Sequence, residues 1–482
     1  MSHRSRMVDP AARLGLSDRV SMACKCREGS AKMTGKIQQG ERNWQHSLRE
    51  PMIDELHARP FLRLKAPCRL AYIALKPEQD GSHTADLSRR QLTAFLARFG
   101  AAPPDEDAVY HSADLGDMVL KWEHHSEFAT YTLFGCKAVE HEDNFAHFLH
   151  RHFAAEWLNA FDGKIISSVT ARIDLVPDET ALDAHLSERA EDWFGVNATY
   201  SAAFVTDQSA AIAADFTTDK DGHMRIAMLA NGGIGPGRTG RAMQRMLEIE
   251  TYRAMSMLTL PVARHILGQL GRLNQSLSET VEAMSAKQRD AGESLEELLH
   301  ISSDLALLSA RSSFRFSAAR AYETLVRQRI ELLREERILG RQMFAEFMKR
   351  RYSPSMRTCH SAHAQLEDIS DRTAHAADLL STRVSVTTAE QNRNLLAKMD
   401  TRAAQQARLQ ETVEGISVVA ISYYAVSLLS YLLAPLTKML PVSKTMLSAA
   451  LVIPVVLLVW TGMHRLKKRL IREPNGKIDK TQ

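Results

Sequence analysis

Two uncharged runs near the C-terminus constrain this chain more than any other feature. Residues 415–436 read GISVVAISYYAVSLLSYLLAPL, and residues 446–463 read MLSAALVIPVVLLVWTGM. The hydrocarbon core of a bilayer is roughly 30 Å thick, and about 20 helical residues cross it. The first run meets that length and the second only just. Uncharged runs this long, side by side, are foreign to soluble cores, so 415–463 is expected to form a transmembrane hairpin. The joining segment, TKMLPVSKT at 437–445, is short and forces the two helices antiparallel. Arg465, Lys467, Lys468, Arg469 and Arg472 crowd the far end, against only Lys438 and Lys444 in the joining segment. Positive charge collects on the cytoplasmic side, and Trp460 suits an interfacial anchor. The expectation is a membrane protein with both termini cytoplasmic and a basic tail at 464–482. The lipid bilayer is then its first partner.

Composition narrows the rest. The chain has 482 residues, 45% hydrophobic and 24% charged, which excludes collagen-like and wholly disordered classes. A formal charge of +4 is too mild to argue for nucleic acid, and none is expected as a partner. Cys24, Cys26, Cys68, Cys136 and Cys359 are too few and scattered for a disulfide framework. Residues 1–47 read as a disordered or mis-started arm. They contain no apolar signal-peptide core, and Cys24-Lys25-Cys26 is only a weak metal hint.

From 48 to 236 strand and helix patterns interleave, so an α+β cytosolic domain is expected. Strands are read at 69–75, 118–122, 128–134 and 165–176, with three more between 198 and 230. Asp219-Lys220-Asp221-Gly222 is read as a hairpin turn. Helices are read at 85–99 and 144–161. The run NGGIGPGRTG at 231–240 lacks the G-K-[ST] of a phosphate loop and reads as a linker or turn. From 237 to 414 the pattern is helical. Pro261 and Pro354 interrupt it, and residues 314–348 continue a helix with a solvated charged face that includes Arg329. This is a long, coiled-coil-like stalk whose apolar stripe calls for a second copy, so a homo-oligomer is expected.

Several blocks look familiar: ELHARPF at 55–61, WEHHSEF at 122–128, GRAMQRMLEIETYR at 240–253, RFSAARAY at 315–322 and TVEGISVVAISYY at 412–424. Together they resemble a bacterial family of predicted membrane-anchored proteins of unknown function. The resemblance covers about 48–470 and implies the anchor and the helical region, with no activity or cofactor. The plan is also similar to that of CorA-type magnesium channels. Their Gly-Met-Asn motif is missing, however, and residues 434–439 read APLTKM.

Candidate chemistry falls in three places. If 55–59 is extended, Glu55, His57 and Arg59 share a side. Glu123, His125 and Glu127 would share one face of a strand. Carboxylates with imidazole can hold a divalent metal or move protons, although such mixtures also occur on plain solvated strands. His147 and His150 have a workable ligand spacing, but Phe145, Phe148, Leu149, Phe153 and Trp157 make that segment a core helix first. In the first membrane run Tyr423, Ser427, Ser430 and Ala434 share a helix face suited to close packing. Catalytic residues are not identifiable. The reading is a membrane-anchored, self-associating scaffold or sensor, non-enzymatic first. The alternatives are a CorA-like ion channel or transporter and a metal-dependent enzyme.

Overall fold

The structure, a computed structural model, describes residues 46–57, 59–78, 84–135, 145, 147–161, 163–177, 182–286, 289–433 and 444–471. Residues 1–45, Cys136, Ala434, the joining segment to 443 and the tail from Arg472 lie outside them. So do the side chains of Glu55, His57 and Lys467–Arg469. The chain forms two compact units. One runs to Leu258 and takes in Ala319–Met356. The other comprises Thr259–Ala318 and the chain from Arg357 on. The helix that starts at Pro236 belongs to the sheet unit.

The strands of the sheet unit are β1 (Cys68–Pro77), β2 (Tyr110–Asp114), β3 (Val119–His124), β4 (Ala129–Gly135), β5 (Gly163–Val176), β6 (Ser201–Val205), β7 (Ala210–Thr218), β8 (Met224–Asn231) and β9 (Glu336–Arg337). They form one sheet in the order β2-β3-β4-β1-β5-β8-β7-β6-β9. Only β5 and β8 pair in parallel among the described strands. Helices α1 (Arg49–His57), α2 (Thr84–Ala97), α3 (His147–His150), α4 (Ala155–Asn159), α5 (Leu182–Phe194) and α6 (Pro236–Met257) complete the chain up to Leu258.

Strand alternation decides the two faces. Ala71, Ile73 and Leu75 of β1, Leu120 and Trp122 of β3, and Tyr131 and Leu133 of β4 point to one side. There they pack with Leu92, Phe95 and Leu96 of α2 and Trp157 of α4. On the same sheet, α5 packs Leu186, Ala190 and Trp193 against Ala202, Ala213, Ala227 and Leu229. The opposite face of β1 is reached by α6, where Tyr72 Oη and Thr251 Oγ1 share a 2.6 Å hydrogen bond.

Of the two readings of 231–240, linker or turn, the turn holds: the run is a tight turn and the first turn of α6, with Pro236 at the helix start. Other sequence readings are corrected. The helix read over 144–161 is two short ones, α3 and α4, separated at residues 151–154. The helix read through 348 stops at Leu333. Arg334 takes a positive φ of 50°, and the Glu335 carboxylate accepts N–H bonds from Phe344 and Ala345 at 2.8 Å each. Pro354, expected to break the helix, lies in the first turn of a new one directly after a π turn at Met348–Tyr352. That turn shifts the local bonding and accommodates a residue without an N–H.

Gly240 shows how closely α6 approaches the 59–64 segment. A Cβ there would lie 1.8 Å from the Leu62 carbonyl oxygen, which is backbone and cannot swing aside. Leu64 N–H also donates to Pro236 O at 3.0 Å. Gly240→Ala is expected to cost about 1–3 kcal/mol through forced separation of the two segments. A melting temperature equal to wild type would refute the close approach.

The second unit contains α7 (Thr259–Ser285), the first part of α8 (Ala291–Leu333), most of α10 (Ser353–Leu433) and α11 (Lys444–Ile471); the short α9 is Phe344–Phe347 of the sheet unit. Thr259 Oγ1 donates to Arg315 O at 3.1 Å, and Arg372 and Arg383 donate to Asn274 and Met284 O. Phe316 stacks on His363. Thus α7 and α10 run in one direction and α8 against them. Leu270 and Leu277, Leu298 and Leu305, and Leu366 and Leu380 are buried. These stripe positions, as far as Leu380, are therefore covered within one chain. Beyond it, Val386, Leu395, Leu396, Met399, Leu409 and Val413 are exposed.

The last part of α10 and Ser448–Arg465 of α11 are long and apolar enough to cross a membrane. Ser430 Oγ and Ser448 Oγ lie 3.3 Å apart. The buried position on this part of α10 is Ser422, flanked by Val418 and Val426, whereas Tyr423 is 70% exposed. Of the face read from sequence, Ser430 makes a contact with α11, Ser427 is half-buried and Tyr423 points outward.

Candidate functional site

The strands β3 and β4 read LKWEH and ATYTL, apolar and polar in turn. On an open sheet the polar side would meet water. Here α6 roofs it. Lys121, Glu123, Thr130 and Thr132 end up buried, facing Gln244, Glu248, Thr251 and Tyr252 across a cavity of about 200 Å³. Tyr72 forms the floor, Arg59 and Phe61 one edge, and His125 and Phe128 another, with Arg329 of α8 reaching in.

Buried charge has to be paired and hydrogen-bonded. Lys121 is 3% exposed; its ammonium lies 3.0 Å from Glu123 Oε1 and donates to Gln244 Oε1 at 3.2 Å. Gln244 Oε1 also accepts from Leu62 N–H at 3.3 Å, and its Nε2 donates to Glu248 Oε1 at 2.9 Å. Glu248 Oε2 accepts from Arg329 Nε. One network thus runs from β3 through α6 to α8. Arg329, read as part of a solvated face, is turned onto Glu248 instead. The three α6 positions Gln244, Glu248 and Thr251 follow i, i+4, i+7, which sets them on one helix face.

Burial pushes the Glu123 carboxyl above its ordinary range, and Lys121 pulls it partly back. Burial, reinforced by the Arg59 cation, holds His125 down at about 3, so it is a neutral imidazole at pH 7. Tyr252 is pushed up to about 12, mainly by burial and then by Glu248. Perturbed groups converging on a cavity are what binding and proton-transfer sites require.

The sequence candidates divide. Arg59, Glu123 and His125 meet at this cavity. Arg59 also donates to His124 O at 3.3 Å. Glu127 does not line it. That residue lies in the turn after β3, not on a strand, and accepts from Tyr322 Oη at 2.9 Å. Glu55 and His57 belong to the helix α1, so the extended reading of 55–57 is corrected. Lys121, Tyr72, Gln244, Glu248 and Arg329 were not singled out. The signal that could have found them is the polar alternation of β3 and β4, matched by a polar face on α6.

All of these residues fall within 44–470, the span matched by the model of a family described as protein of unknown function (DUF3422). The chain belongs to that family. No curated protein matches it. Residues 122–128 and 240–253 supply Glu123, His125, Gln244 and Glu248 to the lining of the cavity.

Proposed function

We propose that the sheet unit is the sensor part of a membrane-anchored protein, binding a small charged or zwitterionic solute between β1, β3, β4 and α6. The carrying observation is the roofed polar cavity itself. Its carboxylates, the buried Glu123 and the half-buried Glu248, alternate with the cations Lys121 and Arg329. Such a wall recognises a solute bearing both charges. A cavity of about 200 Å³ is below the roughly 300–1,000 Å³ of drug-sized sites, which points to a solute of amino-acid size.

The apolar parts of α10 and α11 serve as the anchor. The basic residues from Arg465 on favour a cytoplasmic C-terminus, and a hairpin then keeps the sheet unit in the cytoplasm of the bacterial inner membrane. Self-association has its best footing on the exposed apolar residues between Val386 and Val413, where a coiled-coil-like pairing of two α10 helices would cover them.

The test is thermal unfolding of the full chain in mild detergent against a panel of amino acids and small organic acids. One class is expected to stabilise wild type, by about 2.7 kcal/mol at a hundredfold excess over Kd. Glu248→Gln is expected to lose that response. If no solute stabilises wild type, or the variant responds equally, the reading is wrong.

A further inference from the structure

A second cluster lies away from the roofed cavity. His147 of α3 meets the turn between β7 and β8. Among the described residues, His147, Asp219 and Asp221 bring one imidazole nitrogen and two carboxylate oxygens within 4.8 Å of one another. His147 Nε2 is 3.4 Å from Asp219 Oδ2, and His147 Nδ1 is 3.7 Å from Asp221 Oδ2. A tetrahedral ion with ligands at about 2.1 Å sets its ligand atoms roughly 3.4 Å apart. With the imidazole giving one nitrogen and all three ligand atoms within 4.8 Å of one another, the cluster can close on one small cation.

The turn explains how the carboxylates are aimed. Asp219 Oδ1 accepts the N–H groups of Asp221 and His223, each at 2.9 Å. That locks the side chain and leaves Oδ2 pointing at His147. The Asp219 side chain is only 10% exposed, yet Oδ2 accepts no hydrogen bond. Neither does buried His147 Nδ1 have a hydrogen-bond partner. A desolvated carboxylate oxygen without a hydrogen bond is costly, and a bound cation removes that cost. The other histidines wall the site. His150 and His223 stack at 3.8 Å. His150 Nε2 donates to Val169 O at 3.1 Å, and His223 Nδ1 shares a 2.8 Å hydrogen bond with Ser168 Oγ. Those bonds fix both rings against β5.

We propose that His147, Asp219 and Asp221 form a divalent metal site for a first-row cation, Zn²⁺ or Mn²⁺. The imidazole disfavours Mg²⁺ and Ca²⁺, which take all-oxygen sets. The exposed Asp221 leaves the remaining positions to water. The ion clips α3 to the β7–β8 turn, and this site is independent of the solute cavity.

Full-length protein in detergent, stripped with chelator, is titrated with Zn²⁺, Mn²⁺ and Mg²⁺ by calorimetry and checked by elemental analysis. One equivalent of Zn²⁺ or Mn²⁺ is expected, with little Mg²⁺. Asp219→Asn keeps an acceptor for both turn N–H groups but loses the ligand charge. It is expected to weaken binding on the order of 100-fold, as is His147→Gln, with wild-type circular dichroism. Glu123→Gln is expected to bind as wild type. The proposal fails if wild type binds no equivalent. It also fails if either ligand variant binds normally, or if Glu123→Gln weakens binding as much as they do.

Discussion

Asp174→Ala is expected to lose about 3–5 kcal/mol of the sheet unit's stability, the largest effect of any single substitution considered for this chain. Arg69 of β1 and Arg172 of β5 sit directly opposite in the sheet register. Two like charges in that position repel. Asp174 resolves this. Its Oδ1 lies 2.9 Å from Arg69 Nη1, and its Oδ2 accepts from Arg172 Nε at 2.8 Å and from Nη2 as well. The Arg69 and Arg172 side chains are 6% and 8% exposed, so water cannot replace the carboxylate. Arg172 also lies over the Trp193 ring at 4.7 Å, which pins it in place. The more exposed Arg189, 3.7 Å from Oδ2, adds little. Urea unfolding followed by tryptophan fluorescence measures the loss. The control is Arg69→Met, Arg172→Met, Asp174→Leu together, expected near wild type because no charge is left stranded. A loss below about 1 kcal/mol in Asp174→Ala would show that the two guanidiniums are not held by this carboxylate.

That network also marks what a sequence can tell. Strands β1, β4 and β5 were legible as apolar or alternating runs closed by Pro77, Gly135 and Pro177, and β3 as a short apolar run beside β4. The apolar helices near the C-terminus were legible because an uncharged run has few other uses. Partners distant in the chain were not legible. Arg69 and Asp174 are separated by a hundred residues, and nothing local to either says that they meet. The same holds for Gln244 and Lys121. The polar face of β3 reads as solvated until α6 is known to cover it, and α6 reads as the start of a stalk because its amphipathic pattern does not say which surface it packs on. Arg329 was misplaced for the same reason. In the His-rich stretch at 141–152 the spacing of His147 and His150 was noticed, but His147 meets its carboxylates across the fold, in a turn recognised only as a turn.

Acid is expected to destabilise the sheet unit well before its carboxylates are neutralised. His125 and His150 are held at about 3, each mainly by burial, with Arg59 adding to the first and His223 to the second. In an unfolded chain each would titrate near about 6.5. Between those values the unfolded state binds the proton and the folded state does not, so stability falls as pH falls through that window. Above about pH 7.5 the two histidines contribute almost no slope. Well inside the window each costs about 1.4 kcal/mol per pH unit. Burial lowers His111, His124, His152 and His223 too, which adds the same sign. Glu123, Asp215 and Glu335 are raised by burial and oppose the trend at the acid end, where carboxylates titrate. The histidine effect is therefore cleanest between about pH 6.5 and 5. Urea midpoints at pH 8.5, 7.5 and 5.5 should be nearly flat over the first step and fall over the second. In a His125→Gln, His150→Gln double variant the second step should shrink. An undiminished fall in that variant would assign the acid sensitivity to other groups.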